Sequence, residues 1–468
     1  MTEPSPTAVV LGGSLAGLLA ARALAPFVDR VTVLERDRLP EGPRPRRGLP
    51  QARHAHQLWS GGGRALEELL PGVTTWLRRH GAHRQAVTAD IAMLSPQGWY
   101  RRWPESHSML LCTRDLLDHA VRTRVLAEER VTLVEEAEAV GLIGDATAVT
   151  GVRVRERDGR ERALKAGLVV DATGRGSRMV GWLAELGAPA PRERVVDAGL
   201  CYASRLYRAP EAARGGFPLV SVQADPRSGG PGRGGVLLPV EDGRWLVTLF
   251  GTRGGEPPSS GEDFVAFARE GLRHPVIGDL IARAEPLGEV SVSRTTANRR
   301  RFYERLARRP ENVVVLGDAL AALNPVYGHG MAVAARGAVG LRSVLRRRGF
   351  GAPGIARAAQ RAVARPAGAA WDLAVGQDVF FPGATPDGPS RRERITAAYV
   401  DRLVRTATGN GRVARRLTDV MSLERRAEVL VSPGVLSAAV VGPLRPAPTG
   451  PPLTRAERRA AGLDDGPS

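Results

Sequence analysis

Cysteine is scarce in this sequence, with only two among its 468 residues. Cys112 and Cys201 cannot supply a disulfide framework or a four-cysteine zinc site. The small secreted scaffolds that depend on disulfides are therefore excluded, and we expect a protein of a reducing compartment, the cytoplasm. A chain of this length predicts roughly two to three domains at about 150 residues each.

Lysine is almost absent. Lys165 is the only lysine, so 66 of the 67 basic residues are arginine. A net charge of +18 would by itself favour nucleic acid as a partner. Such one-sided use of arginine is instead typical of a GC-rich coding bias, and the charge is scattered along the chain. We therefore expect no nucleic-acid partner, although a basic nucleic-acid-binding protein is an alternative from another functional class.

Long uninterrupted apolar runs are also lacking. The most apolar stretch, Ala8 to Val28, is broken by three glycines, Arg22 and Pro26, whereas a membrane-spanning helix needs about 20 consecutive apolar residues. No cationic segment precedes this stretch, so a secretory signal peptide does not fit either. We expect no stable membrane insertion.

The same stretch has the pattern of a dinucleotide-binding fold. The apolar run Ala8–Leu11 leads into the glycine-rich segment Gly12–Gly17, which is followed by a helix-forming segment. A second apolar run, Val31–Leu34, ends in Glu35. Strand, glycine-rich turn, helix, strand and acid are the context that the dinucleotide fingerprint requires. One position departs from the pattern, because Ser14 stands where the middle glycine usually lies.

Each position of this fingerprint has a physical role. Gly12 allows the tight turn after the strand, and Gly17 allows the helix to pack closely on the sheet. The turn and the positive helix end face a pyrophosphate, and Glu35 accepts hydrogen bonds from a ribose. The segment Gly230–Gly235 also has the glycine spacing, but a strand-like segment follows it, so we interpret it as a loop.

Two later segments specify the dinucleotide further. The apolar run Leu168–Val170 ends in an acid, Asp171, and a glycine-rich turn, and an arginine follows the turn. The run Val313–Leu316 ends in Gly-Asp at Asp318, and a second glycine-rich turn with Pro325 and Gly328–Met331 opens a helix.

Together, these three segments resemble the FAD-dependent monooxygenases of the para-hydroxybenzoate hydroxylase fold. The resemblance implies that Asp318 binds the ribityl chain and that Gly328–Met331 lies at the N1–C2=O edge of the flavin. A reduced flavin carries negative charge near N1, and a helix N-terminus supplies about half a positive charge there. FAD is therefore the expected cofactor.

Four further segments are similar to the flavin-dependent epoxidases of polyether ionophore biosynthesis, the lasalocid and monensin type. They are 48–63, 110–118, 240–248 and 251–258. In that family, reduced FAD and O2 form a C4a-hydroperoxide, which transfers one oxygen atom to an alkene of a linear polyene polyketide. The resemblance thus implies antibiotic biosynthesis, an apolar polyene substrate and O2 as co-substrate. It also implies NADPH or NADH as electron donor, acting directly or through a separate flavin reductase.

The residues predicted to contact the cofactor lie in the three motifs or in loops that the resemblance brings beside them. They are Gly12, Gly13, Ser14, Ala16, Gly17, Glu35, Arg36, Gln51, Arg53, Arg114, Asp171, Asp318, Pro325, Gly328, His329, Gly330 and Met331. For Arg114 a surface charge is the alternative, and for His329 a substrate contact. No side chain is predicted as catalytic acid or base, because the chemistry belongs to the flavin. No metal is predicted either, since His54 and His56 lack a third ligand nearby.

The predicted fold is α/β, with a Rossmann-like FAD-binding domain, an inserted β-rich substrate domain and a helical C-terminal region. We place the discontinuous FAD-binding domain at 1–87, 108–190 and 290–345. The substrate domain covers 88–107 and 191–289, and a mostly helical region with a Pro- and Arg-rich tail covers 346–468.

Other activities on the same fold stay open. A double-bond reductase of the geranylgeranyl type and an aromatic hydroxylase are not separated from an epoxidase by these motifs. A flavin halogenase is disfavoured, because those enzymes use a lysine and a Trp-x-Trp-x-Ile-Pro segment. Lys165 is the only lysine here, and no two tryptophans have that spacing.

Overall fold

The computed structural model describes residues 6–46, 48–294 and 296–463. The strands, in chain order, are β1 (Thr7–Leu11), β2 (Arg30–Leu34), β3 (Gln57–Trp59), β4 (His83–Val87), β5 (Ile91–Ser95), β6 (Gly98–Trp99), β7 (His107–Leu111), β8 (Val131–Val134), β9 (Ala137–Gly144), β10 (Val149–Glu156), β11 (Glu161–Lys165), β12 (Leu168–Asp171), β13 (Glu193–Val196), β14 (Cys201–Arg208), β15 (Leu219–Val222), β16 (Arg233–Val240), β17 (Arg244–Gly251), β18 (Glu285–Ser293), β19 (Asn298–Arg301), β20 (Val313–Val315) and β21 (Ala321–Ala322). The α-helices are α1 (Leu15–Leu24), α2 (Ser60–Leu69), α3 (Val73–Arg79), α4 (Arg114–Leu126), α5 (Met179–Glu185), α6 (Gly261–Ala266), α7 (Val276–Ile281), α8 (Gly330–Arg348), α9 (Ile355–Asp378), α10 (Arg391–Gly409), α11 (Gly411–Met421), α12 (Pro433–Val441) and α13 (Arg455–Ala460).

The first strand lies at the centre of a five-stranded parallel sheet with the order β20-β12-β1-β2-β8. Val9 pairs with Thr32 on one side and with Val169 on the other. Strands buried on both faces read as continuous apolar runs, which is why β1 and β12 are almost wholly Val, Leu and Ala. The turns that follow β1, β12 and β20 therefore meet at one edge of the sheet, where ligands bind in such folds.

Helices surround this sheet and continue its core. Helix α1 packs against α4 and α8, and α8 packs against α9. Small side chains allow these close approaches, since Ala332, Ala335 and Ala338 of α8 are all buried. A three-stranded meander, β9-β10-β11, and two further three-stranded sheets, β3-β7-β4 and β13-β19-β21, complete this part of the chain.

A second, larger sheet lies beside the first. Its seven strands have the order β18-β14-β17-β16-β15-β5-β6. Side chains alternate along β17: Trp245 and Val247 pack in the core that contains α6 and α7, whereas Leu246 packs with Met109 and Leu111 of β7. The sheet thus has α6 and α7 on one face and β7 on the other.

The last part of the chain is helical. Leu403, Val413, Val420 and Val435 from α10, α11 and α12 share one small core. Asn410 ends α10 and caps α11, because its side-chain oxygen accepts from the backbone N–H groups of the next helix. Together with the two sheets, this region confirms the predicted α/β class. The predicted tail contains α13, and its last five residues lie outside the described residues.

Polar contacts fasten this helical region to the rest of the molecule. His107 Nε2 lies 3.1 Å from Asp419 Oδ1, and Ser60 Oγ donates to Glu424 Oε1 at 2.5 Å. His107, Asp419 and Glu424 form the one group within the described ranges that has the residue types of a metal site. Both carboxylates are already paired with arginines, so we interpret the group as an ion-pair cluster. In the described residues, no helix has the length and apolarity to cross a bilayer.

Candidate cofactor-binding site

The glycine-rich turn after β1 is shaped by two glycines that no other residue could replace. Gly12 has a φ of +97°, and a Cβ there would lie 2.7 Å from the carbonyl oxygen of Ala172. A Cβ on Gly17 would overlap the carbonyl oxygen of Gly12. This close packing leaves the N-terminus of α1 facing the edge of the sheet, where a phosphate group is favoured.

Glu35, at the end of β2, stabilises this turn. Its Oε2 accepts from the Gly13 N–H at 2.8 Å, and its Oε1 accepts from the Asp37 N–H at 3.0 Å. Arg46 Nη2 lies 2.9 Å from the same carboxylate. The acid that the fingerprint assigns to a ribose therefore also holds the glycine-rich turn in place.

Arg46 is a site residue that sequence reasoning missed. Its guanidinium is buried between two acids, with Nη1 3.4 Å from Asp118, and it donates to the carbonyl oxygen of Gly13 at 3.2 Å. Its Nε has no hydrogen-bond partner among the described residues. The residues next to Arg46 in the sequence form no motif. Its partners, Glu35 and Asp118, come from other segments and meet it only in the folded chain.

Arg114, the first residue of α4, lies on the other side of the turn. Its Nη2 is 3.3 Å from Ser14 Oγ and 3.5 Å from Asp118 Oδ1. The side chain is buried, yet its Nε also has no partner among the described residues. A buried guanidinium with an unused donor beside a helix N-terminus fits a phosphate group.

The second glycine-rich turn forms the opposite end of the site. Gly328 has a φ of +65°, and a Cβ on it would lie 2.6 Å from Cγ of Gln57. Asn324 Oδ1 caps the turn by accepting from the Val326 N–H at 3.0 Å, and it also accepts from Tyr202 OH at 2.6 Å. Helix α8 begins two residues after Gly328, so its N-terminus faces the cleft.

A buried carboxylate, Asp378 at the end of α9, lies beneath this turn. It accepts three hydrogen bonds, from Asn298 Nδ2 at 2.7 Å, Asn324 Nδ2 at 2.8 Å and Tyr327 OH at 2.7 Å. Burial raises the pKa of Asp378, and burial together with this neighbouring acid raises the pKa of Tyr327. The turn is therefore held by a polar network within the protein and not by the local sequence alone.

Two histidines between the ends of the cleft are uncharged at neutral pH. Burial and the adjacent Arg53 lower the pKa of His54 to about 4, and its Nδ1 shares a hydrogen bond with Ser204 Oγ at 2.8 Å. Burial and nearby Arg114 lower the pKa of His56 to about 3, and its Nδ1 donates to the carbonyl oxygen of His54 at 2.7 Å. Both Nδ1 atoms are thus used within the protein.

These elements line a single cleft of about 530 Å³. It runs from the glycine-rich turn to Tyr202 and Ser293 of the seven-stranded sheet. Most of the residues that the sequence predicts at the cofactor line it: Gly12, Ser14, Ala16, Glu35, Arg36, Gln51, Arg114, Asp318, Pro325, Gly328, Gly330 and Met331.

Three other predicted residues lie outside the lining, each for a visible reason. Gly13 contributes its backbone N–H to Glu35, and Gly17 packs against the strand. Arg53 is exposed, and its effect on the cleft is to help lower the pKa of His54.

Asp171 and His329 also lie outside the lining of the cleft. Asp171 is fully buried and accepts from Thr173 Oγ1 at 2.6 Å and from Ser177 Oγ at 2.5 Å, so it orders its own turn. His329 donates from Nε2 to the carbonyl oxygen of Met421 at 2.8 Å. The predicted cofactor contacts of Asp171 and His329 stay predictions.

Arg175, in the turn after β12, is a second residue that the motifs did not single out. Its Nη1 donates to the Ala297 carbonyl and its Nη2 to the Leu323 carbonyl, both at 2.7 Å. Its Nε lies 3.8 Å from Asp318 Oδ2, which keeps that carboxylate at the cleft.

The lining fits a dinucleotide flavin. Unused guanidinium donors and a helix N-terminus lie at one end, where a pyrophosphate would bind, and a second helix N-terminus lies at the other, where a flavin ring would bind. Two glycine positions leave no room for a Cβ between the turn and its neighbours. The residues present therefore suit FAD.

Comparison with known proteins agrees with this geometry. Residues 8–195 match the family of FAD dependent oxidoreductases. The chain is also 32% identical over 421 residues to Protein Rv3254 of Mycobacterium tuberculosis, covering 86% of this chain and 87% of that protein. The chain is an FAD-dependent oxidoreductase and belongs to the same family as Rv3254.

Solved structures show the same fold at low sequence identity. The flavin-dependent brominase Bmp2 superposes with a TM-score of 0.61 at 14% identity, covering 89% of this chain and 92% of that chain. The p-nitrophenol 4-monooxygenase PnpA of Pseudomonas putida superposes with a TM-score of 0.61 at 18% identity, covering 89% of this chain and 99% of that chain. PqsL of Pseudomonas aeruginosa, a probable FAD-dependent monooxygenase, superposes with a TM-score of 0.59 at 16% identity, covering 84% of this chain and 99% of that chain. These likenesses confirm the para-hydroxybenzoate hydroxylase type of fold. The nearer resemblance to polyether epoxidases stays a prediction.

Proposed function

We propose that this protein is a monooxygenase that epoxidises alkenes of a linear, apolar polyene in natural-product biosynthesis. When bound, reduced FAD supplies the chemistry that activates O2. The electrons come from NADPH or NADH, either directly or through a separate flavin reductase. The protein binds the cofactor and the substrate, orients them, and keeps water away from the reacting groups.

The observation that carries this proposal is the continuity of the cleft. One end is built for a nucleotide, with Glu35, Arg46 and Arg114, and the other opens onto strands of the seven-stranded sheet. Between the two ends, His54 and His56 are neutral at pH 7. An apolar chain can lie beside neutral side chains without burying an unpaired charge.

The residues of the second end have positioning roles. Asn324 and Tyr327 hold the turn at the start of α8. Tyr202 joins that turn to the seven-stranded sheet through its hydrogen bond to Asn324. His54 is held by Ser204, whose hydroxyl also lies 2.6 Å from Thr248 Oγ1. No charged group is needed to transfer oxygen to an alkene, so orientation is the task of these side chains.

Halogenation is a weaker candidate although Bmp2 shares the fold. Lys165 is exposed on β11 and lies outside the cleft lining, so it cannot act there. A double-bond reductase would use the same cleft, and only the fate of O2 separates it from an epoxidase.

The test is an isotope experiment with the FAD-loaded protein, NADPH, a flavin reductase and oxygen-18 gas. A linear polyene with trisubstituted alkenes is the substrate, and its fully saturated analogue is the control. We expect a product that carries one labelled oxygen atom for each epoxide formed, detected by mass spectrometry. A product that gains hydrogen without label would instead identify a reductase.

A pair of variants separates loss of cofactor from loss of chemistry. Asp318→Asn alters the cleft, whereas Asp387→Asn alters an exposed acid elsewhere. Labelled product should fall in proportion to FAD content for Asp318→Asn and stay at the level of the unmodified protein for Asp387→Asn. Label that appears without bound FAD would contradict the proposal.

A further inference from the structure

Exposed large aliphatic side chains are concentrated at one place on the C-terminal helices. Among the described residues, seven large hydrophobic side chains are strongly exposed, and six of them belong to this region, with exposed fractions from 43% to 80%. We call these six the apolar tip: Ile395, Val431, Leu436, Val440, Val441 and Leu444. Scattered single residues of this kind are normal on a protein surface, but a cluster marks an interaction site.

Hydrogen bonds bring the members of the apolar tip together. Tyr399 OH donates to the carbonyl oxygen of Leu430 at 2.6 Å, so α10 lies beside Val431. Ile395 precedes Tyr399 by one helical turn on the same face. Further along α10, Arg402 donates to the carbonyl oxygens of Ala439 and Val440 at 2.6 and 2.8 Å.

The end of α12 is the most exposed part of the apolar tip. Val440 and Val441 are consecutive and are 80% and 70% exposed, so two successive side chains of this helix end face solvent. After Gly442, the chain returns to the body of the protein, where Arg445 N donates to the carbonyl oxygen of Gly409. A helix end with strongly exposed aliphatic side chains suits insertion into a lipid surface.

Exposed arginines flank the apolar tip: Arg391, Arg392, Arg394, Arg425, Arg426 and Arg445. Of the nearby acids, Glu393 is already paired with Arg194, and Glu428 is exposed. A second copy of this chain on the tip would bring two positive rims together, which opposes self-association. An anionic lipid surface instead matches both the apolar tip and its positive rim.

We propose that the apolar tip docks the protein on anionic membrane surfaces, with Val440, Val441 and Leu444 inserted among the lipids and the flanking arginines on the headgroups. This is peripheral binding, without a spanning helix. It concerns a surface separate from the cleft and does not depend on the reaction that the cleft performs.

The test is co-sedimentation of the FAD-loaded, full-length protein with vesicles. One set contains only phosphatidylcholine, and the other contains about one-third phosphatidylglycerol, because anionic lipids attract basic segments. We expect binding to the anionic vesicles that weakens with added salt, and at least about tenfold weaker binding to the neutral ones.

Two variants assign binding to the tip. The triple variant Val440→Glu, Val441→Glu and Leu444→Glu should bind anionic vesicles at least about tenfold more weakly, since its apolar insertion is lost. Val195→Glu, which places the same charge on the exposed apolar residue outside the tip, should bind as the unmodified protein does. Thermal melting of both variants checks that they fold.

Three results would overturn the proposal. One is failure of the unmodified protein to bind anionic vesicles at physiological salt. Another is unchanged binding by the triple variant. The third is a dimer, detected by light scattering, that the triple variant dissociates, because the tip would then be an interface between two copies of this chain.

Discussion

The two ends of the cleft are built in different ways. At the glycine-rich turn, Glu35, Arg46, Asp118 and Arg114 form a buried, charged cluster around one helix N-terminus. At the second turn, the buried acid Asp378 accepts hydrogen bonds from three neutral side chains, and no arginine within the described residues pairs with it. The helix N-terminus and the arginine donors of the charged end suit a pyrophosphate, and the neutral groups of the other end suit a ring and an apolar chain. We infer that the first end supplies affinity and that the second sets the properties of the bound flavin.

The largest effect on stability and FAD binding is expected at Gly17, where the backbone of α1 lies against the backbone of the glycine-rich turn. Gly17→Ala places a methyl group on the carbonyl oxygen of Gly12, and relief requires moving α1 away from β1. We expect a loss of about 3 kcal/mol or more in the free energy of unfolding, with no retained FAD. Thermal melting and the visible spectrum of the purified variant measure both.

Gly63→Ala is the matched control for this substitution. Gly63 also lies in a helix, but a Cβ there meets nothing within 4 Å. Its replacement should be neutral or stabilising by about 0.5–1 kcal/mol. Equal effects of the two substitutions would show that the close contact at Gly17 is unimportant.

The next effect tests the charged end. Arg46→Met leaves two buried acids, Glu35 and Asp118, without their shared cation, although Arg114 still lies near Asp118. We expect a loss of about 3 kcal/mol in stability and at least about 100-fold weaker FAD binding. Arg38→Met, at an exposed position of the same segment, should change neither value. FAD titration followed by fluorescence decides the matter, and unaltered affinity in Arg46→Met would contradict this role.

Sequence patterns predicted the charged end better than the neutral one. Gly12, Ser14 and Glu35 lie within one βαβ unit, so local spacing was sufficient to predict their place. Arg46 was missed, because its partners Glu35 and Asp118 are paired with it only by the fold. The parallel sheet was predictable for a similar reason, since each buried strand is a continuous apolar run.

The neutral end was only partly predictable. The turn at Gly328 follows from its glycines, but the carboxylate that holds it comes from Asp378, more than one helix later. His329 Nε2 donates to the Met421 carbonyl, a contact that a motif cannot reveal, and its predicted cofactor contact stays a prediction. Contacts between distant parts of the chain, and the direction in which a side chain points, are set by packing.

Asp378→Asn tests the neutral end. The new amide NH2 would face groups that themselves donate hydrogen bonds, so at least one hydrogen bond to the turn is lost. We expect the protein to lose about 2 kcal/mol of stability. FAD affinity should change much less than in Arg46→Met, whereas the visible spectrum and reduction potential of the bound flavin should shift. If Asp378→Asn weakened FAD binding but left the spectrum and reduction potential of the bound flavin unchanged, the neutral end would contribute to affinity and not to the properties of the flavin, contrary to our account.

The smallest effect is a pH dependence. Burial first, and then Arg53, lower the pKa of His54 from 6.5 to about 4, so the unfolded chain binds a proton between these values that the folded protein does not. Stability should therefore fall as the pH drops from 7 toward 5.5, with a contribution on the order of 1 kcal/mol from His54.

Melting temperatures across this pH range measure the effect. His54→Gln should reduce the dependence by the share of His54, since His56 and His329 have lowered pKa values too, and His80→Gln, at the exposed end of α3, should leave it as it was. If His54→Gln left the dependence of melting temperature on pH unchanged, His54 would not have a lowered pKa in the folded protein. That result would contradict the neutral character of this part of the cleft.

The most direct measurement is a comparison of FAD and FMN binding to the apoprotein by fluorescence titration. FMN keeps the flavin ring and one phosphate but lacks the adenosine half that the charged end would hold. Our account predicts that FAD binds at least about 100-fold more tightly than FMN, and that Arg46→Met removes most of this difference. FMN binding as tight as FAD binding would contradict the division of the cleft into an end for affinity and an end for the flavin.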